Sequence, residues 1–128
     1  MYPQEYRYSK DHEWIHVEGE RARVGITDYA QKQLGDVVFL ELPEAGRALK
    51  AGEQFGTVES VKAVSELFAP ATGEVVGVNA ALVDTPELIN KDPHGAAWMI
   101  ELRITDPATL AALMDASAYQ AFVDSEAK

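Results

Sequence analysis

The chain has 128 residues, 47% hydrophobic and 25% charged, which suits one domain with a core large enough to need no staples. Its formal charge of −10, from 21 acidic and 11 basic residues, argues against nucleic-acid binding, which needs positive potential along a phosphate backbone. There is no cysteine, so disulfides, thiolate nucleophiles and cysteine-held metals are excluded, and any thiol chemistry must be borrowed from a cofactor.

No apolar run approaches the ~18 residues needed to span a bilayer. The opening MYPQEYRYSKDHEW has neither an apolar signal core nor the Arg/Ser-rich, acid-poor character of a transit segment. A cytoplasmic protein of bacterial type is therefore expected, with no membrane role and an acidic surface suited to docking on basic patches of partner proteins.

Short segments with period-two alternation follow one another along the chain. EWIHVE (13–18) and RARVGI (21–26) flank Gly19-Glu20 and predict a hairpin. His12 and His16 are four apart, a spacing that could ligate a metal on a helix, but this stretch alternates as a strand and no third ligand accompanies them. No metal site is expected. In ITDYAQKQLG, Asp28 is the expected N-cap with Gln31 three residues on, and Gly35 stands just past the helix end. DVVFLEL (36–42) is a strand stopped by Pro43.

A second hairpin is expected at about 55–69, with FGTVES (55–60) and AVSELFA (63–69) flanking Val61 and Lys62. GEVVGVN (73–79) follows the Pro70–Thr72 turn as a strand. TPELIN places Pro86 at a first helical position after Thr85. His94, in DPHG, reads as a loop residue making a surface contact. AWMIELRI (97–104) is the last strong strand, and Trp14 and Trp98 alternate with polar neighbours as core or cleft-wall residues. The segment 106–124 is helical, starting at Asp106-Pro107 with Leu110, Leu113 and Met114 on one face; a second short helix begins near Asp115 or Ser117. Strands this short, with turns this frequent, imply a sandwich or small barrel. Nothing in the chain suggests a linker between two domains, so residues 1–128 are read as one.

Lys62 is the residue that calls for a chemical explanation. At the centre of a tight turn its side chain is exposed and open to an enzyme that clamps the turn and acylates a free amine. A Schiff-base lysine needs burial or a cationic neighbour to lower its pKa, whereas Glu59 and Glu66 nearby would act the other way. The plain alternative is a salt-bridged surface lysine. Gly46 lies sixteen residues before Lys62 and Gly73 eleven after it, giving two glycine-bounded β arms about a lysine turn. That is the layout of biotinyl and lipoyl carrier domains.

The resemblance then becomes specific. KDHEW (10–14), VGITDYAQKQLGDVVFLELPEAG (24–46), FGTVESVKAVSELFAPATGEVVGVN (55–79), PELIN (86–90), DPHGAAWMI (92–100) and TDPATLAALMDASAY (105–119) resemble the H proteins of the glycine cleavage system over nearly the whole chain. Lipoyl domains of 2-oxo-acid dehydrogenases have a DKA-type turn and lack the GITDYAQ segment. Biotin carriers usually set methionines beside the lysine, where this chain has Val61 and Ala63.

The resemblance implies a mainly β fold: a barrel-sandwich hybrid of two small antiparallel sheets with short peripheral and C-terminal helices. It implies a carrier that is not itself an enzyme, with lipoate in amide linkage to Lys62 in the turn context Glu59, Ser60, Val61 and Ala63. The partners implied are a pyridoxal-phosphate glycine decarboxylase, a tetrahydrofolate-dependent aminomethyltransferase, a flavin-dependent dihydrolipoamide dehydrogenase, and the lipoate ligase or lipoyl transferase that loads the lysine. A monomer is expected. Three residues align with those that shelter the loaded arm: Glu13 keeps the family's glutamate, Asp11 stands where some relatives have serine, and Glu66 where aspartate is common. A lipoate-relay protein that donates lipoyl groups to other complexes would use the same turn. An enzyme with Lys62 as nucleophile and a plain interaction module are the rivals from other classes.

Overall fold

The computed structural model describes residues 2–126. Its elements run β1 (Arg7–Tyr8), β2 (Glu13–Glu18), β3 (Arg21–Ile26), α1 (Asp28–Leu34), β4 (Val37–Glu41), β5 (Ala48–Leu49) and β6 (Gln54–Ser60). These are followed by β7 (Val64–Phe68), β8 (Thr72–Val78), α2 (Ala80–Asp84), α3 (Leu88–Lys91), β9 (Ile100–Asp106), a 3₁₀ helix (Pro107–Ala112) and α4 (Ala116–Glu126). Six strands form one sheet in the order β1-β2-β3-β9-β8-β5, and three form the other in the order β4-β6-β7. Every pairing is antiparallel. This is the expected mainly β sandwich of two small sheets with peripheral helices.

Alternation builds the core between the sheets. Ile15, Val24, Ile100 and Leu102 of the larger sheet meet Leu40, Phe55, Val58 and Leu67 of the smaller in one buried cluster. A second cluster, centred on Tyr8, Trp14, Tyr119 and Val123, packs α4 against β1 and β2. Trp14 is buried there and donates its indole N–H to the Pro93 carbonyl at 2.8 Å. Trp98 is half-buried, with the Arg23 guanidinium 4.7 Å from its ring centroid. No helix among the described residues is long and apolar enough to cross a membrane.

Several boundaries differ from the sequence reading. Thr27, not Asp28, caps α1: its hydroxyl accepts from the Ala30 N–H at 3.2 Å, and its backbone is extended as a cap requires. Asp28 is the first helical residue, where its carboxylate pairs with Lys32 at 3.0 Å and accepts from the Gln31 amide at 2.9 Å. Pro86 lies in a turn two residues ahead of α3, so it does not open that helix. The last strand begins at Ile100, three residues later than expected, because Trp98 N–H bonds the Gly95 carbonyl in a turn. Asp106-Pro107 opens a 3₁₀ helix, and α4 follows with Asp115 accepting from the Ala118 N–H at 2.8 Å. His94 is half-buried, and its Nε2 accepts from the Asp28 N–H at 3.0 Å, so it helps to cap α1. Burial holds its imidazole below the usual histidine range, which keeps that nitrogen an acceptor.

Candidate functional site

The β6–β7 hairpin turns through four residues. Ser60 N–H bonds the Ala63 carbonyl at 2.8 Å, leaving Val61 and Lys62 at the central positions. The Ser60 hydroxyl is buried beneath the turn and accepts from the N–H groups of Lys62 at 3.3 Å and Ala63 at 3.0 Å. A serine at this position therefore satisfies two turn donors at once. Val61 is 71% exposed and Lys62 is exposed beside it. Among the described residues no carboxylate comes within ion-pair distance of the Lys62 amine. Its stem lies over Gly35, where a Cβ would stand 3.5 Å from the Lys62 Cε.

The two glycines of the arms have separate reasons. Gly46 adopts a left-handed φ of 97° in the turn before β5, and its N–H bonds the Val75 carbonyl at 2.7 Å. Gly73 lies within β8, where a Cβ would meet the Arg103 carbonyl oxygen at 2.6 Å.

Beside the hairpin lies a cleft of about 400 Å³. Its apolar lining comes from β3, α1 and the hairpin, through Ile26, Leu34, Val58, Ala63, Val64 and Leu67. Asp11, Glu13, Glu66 and Glu126 supply its carboxylates, and among the described residues no lysine or arginine lines it. The structure thus brings Asp11, Glu13 and Glu66 to one cleft. Glu59 lies outside its lining, although Glu59 and Glu66 flank Lys62 alike in sequence. Their strands separate them: Glu66 lies on the edge strand β7, which borders the cleft, whereas Glu59 lies on the central strand β6.

Glu13 differs from the other carboxylates. It is 1% exposed, accepts from the Ser9 hydroxyl at 2.6 Å through Oε1, and from the Phe68 N–H at 3.1 Å through Oε2. The second bond satisfies a backbone donor on the open edge of β7. Burial pushes its carboxyl up to about 7, against the pull of the two hydrogen bonds. Asp11 and Glu66 are exposed at the rim.

Sequence reasoning missed Ser9, which the turn between β1 and β2 folds back onto Glu13. It also missed the far wall. His12 sits at a left-handed φ of 68°, bonds the Tyr119 hydroxyl at 2.7 Å through Nδ1 and Glu126 at 2.8 Å through Nε2. His16 instead stacks on Tyr6, with ring centroids 4.6 Å apart, so the two histidines do not converge.

Two small antiparallel sheets that present one lysine at a hairpin tip define a barrel-sandwich module of the lipoyl-domain type. The family model described as glycine cleavage H-protein matches residues 6–126. A glycine cleavage system H protein from Symbiobacterium thermophilum is 60% identical over 120 residues, covering 94% of each chain. One from Geobacillus kaustophilus is 54% identical over 122 residues, covering 95% of this chain and 96% of the other. The crystal structure of a glycine cleavage system H protein from Mycobacterium marinum superposes with a TM-score of 0.87 at 44% identity, covering 94% of this chain and 97% of that one. The chain belongs to the glycine cleavage H-protein family.

Proposed function

We propose that this chain is the lipoyl carrier of a glycine cleavage system, with lipoate in amide linkage to Lys62. The observation that carries the reading is an exposed lysine, without an ion pair among the described residues, on an ordered turn beside a cleft lined by apolar side chains and carboxylates. An apolar chain ending in a cationic cargo fits that donor set, since a carboxylate is the natural partner of an ammonium in a partly dry site. Lipoate, when bound, supplies the redox-active sulfurs that a chain without cysteine lacks.

The chain's own residues attach, shelter and present, and the carrier adds no catalytic group. Ser60 fixes the turn so that Lys62 faces outward. Val58, Val64 and Leu67 offer apolar contact, and Asp11, Glu13 and Glu66 hold the cationic end. Glu13 is the inner of the three: each of its oxygens already accepts one protein hydrogen bond and retains a lone pair. Glycine decarboxylase would load the carrier, the tetrahydrofolate-dependent aminomethyltransferase unload it, and dihydrolipoamide dehydrogenase reoxidise it, each docking reversibly.

The direct test is the intact mass of the protein from cells supplied with lipoate. One lipoyl adduct is expected, on the peptide containing Lys62, and Lys62→Arg should fold normally without acquiring it. An unmodified mass, or an adduct on Lys50 or Lys91, overturns the attachment. The use in glycine cleavage fails if the loaded protein does not support glycine-dependent CO₂ release with glycine decarboxylase.

A further inference from the structure

We propose that Asn90 is a positioning residue for the lysine turn: it fixes the loop on which the hairpin tip rests, and so sets how readily an acylating enzyme can clamp Lys62. The role in acylation rests on Lys62 being the attachment site.

Asn90 is in α3, 28 positions from Lys62 in the chain (90 − 62), and none of its atoms is bonded to the hairpin. Its carboxamide Oδ1 accepts from the Val37 N–H at 2.9 Å. Its Nδ2 donates to the Gly35 carbonyl at 2.8 Å and to the Gln31 side-chain oxygen at 2.9 Å. The bonds to Gly35 and Val37 bracket Asp36, and the Asp36 carbonyl accepts from the Val61 N–H at 3.0 Å. The remaining hydrogen bonds of the turn run between Ser60, Lys62 and Ala63 themselves. The bond from Val61 to Asp36 therefore ties the tip of the hairpin to the body of the protein. Gly35, at a left-handed φ of 79°, ends α1 beneath the Lys62 stem, which a Cβ there would touch at an ordinary contact distance of 3.5 Å.

The position demands an amide. One acceptor must face Val37 N–H while two donors face the oxygens of Gly35 and Gln31. Aspartate keeps the acceptor and turns an anion toward two oxygens, and alanine supplies neither. An enzyme that acylates the turn must bind it in one conformation. A turn already held in place spares the ordering cost at that encounter. Losing Asn90 should thus loosen the tip without opening the core, because its side-chain hydrogen bonds reach only α1 and the α1–β4 connection as far as Val37.

The experiment compares wild type with Asn90→Ala and Asn90→Asp, using amide hydrogen exchange and acylation of the unmodified chain by a lipoate ligase. In wild type, the Val37 and Val61 amides should exchange together, through one local opening. In each folded variant, Val61 exchange should rise roughly five- to tenfold and acylation kcat/KM fall by a similar factor, the scale of one lost hydrogen bond. The amides of β3 should not change. A lowered Tm with Val61 exchange and acylation at wild-type rates would reduce Asn90 to a loop staple and overturn the proposal. So would a wild-type Val61 amide that exchanges freely while Val37 stays protected, a result that needs no variant to fold. If wild type is acylated elsewhere than Lys62, the attachment reading falls, while the coupling of Val37 and Val61 is judged separately by exchange.

Discussion

At residue scale, Glu13 carries a conflict between stability and charge. Its folded pKa, raised from 4.5 to about 7 by burial, lies above the unfolded value. Between those pH values the unfolded chain has lost the proton and the folded chain keeps it, so rising pH favours unfolding. The cost is complete above pH ~7 and amounts to about 3 kcal/mol. Glu13→Gln should remove it: the amide oxygen can accept from Phe68 N–H while the amide nitrogen donates to Ser9 Oγ. Urea unfolding from pH 5 to 8 should show the variant gaining stability over wild type as pH rises. Parallel curves would mean that water reaches Glu13 and its pKa is ordinary. In the carrier function proposed above the same buried charge has a use, because an ammonium in the cleft would favour the ionised carboxylate. The loaded protein, followed by formaldehyde release without tetrahydrofolate, should gain more lifetime over Glu13→Gln at pH 8 than at pH 6. A difference of roughly tenfold corresponds to one charge-assisted hydrogen bond of ~1.5 kcal/mol, and equal lifetimes at both pH values would remove Glu13 from the sheltering role.

At the scale of elements, the hairpin is held as much by glycine as by its apolar face. A Cβ on Gly56 would run into the Glu41 carbonyl oxygen, a backbone atom of β4 that cannot swing aside. Gly56→Ala should therefore part β6 from β4 and destabilise the fold by roughly 2–4 kcal/mol in urea unfolding. Gly46→Ala has open space around it and only the left-handed backbone to oppose it, so about 1 kcal/mol is expected. Equal effects at the two sites would contradict this account. The hairpins are legible in the sequence because Ile15, Val17, Val24 and Val58 alternate over five or more residues. Two-residue strands such as Arg7–Tyr8 and Ala48–Leu49 have no periodicity to read, and only their tertiary pairing makes them strands. The helix α1 is legible, but its cap is not: Thr27 and Asp28 are both good caps, and the backbone turn chooses between them. The same contrast holds at the site. Lys62 and the KDHEW glutamate stand within local motifs, whereas the bond from His12 to Glu126 joins residues 114 apart. Pairings of that kind are decided by how α4 packs, which no local pattern records.

At the scale of the molecule, charge is distributed unevenly. Arg21, Lys32, Arg47 and Arg103 are each spent on a nearby carboxylate, at Glu101, Asp28, Glu53 and Glu74. Strands β4, β6 and β7 contain Glu41, Glu59 and Glu66 and no basic residue, so Lys62 is the one cation on this hairpin sheet. Acylating it removes that charge and takes the net from −10 to −11 (−10 − 1). An enzyme reaching for Lys62 meets a negative field, and a basic rim would speed the encounter more than it would tighten the complex. With the chain well below its KM, lipoate ligase should therefore acylate Lys62 more slowly as ionic strength rises from ~0.05 to ~0.5 M, where the screening length shrinks below the spacing of surface charges. Glu41→Gln and Glu66→Gln should each flatten that salt dependence, since both carboxylates are exposed on the sheet that carries the turn. Glu20→Gln, on the distant β2–β3 turn, should leave it unchanged. A rate independent of salt, or a Glu20 variant as altered as the other two, would mean that the encounter is governed by shape at the turn and not by the field of this face.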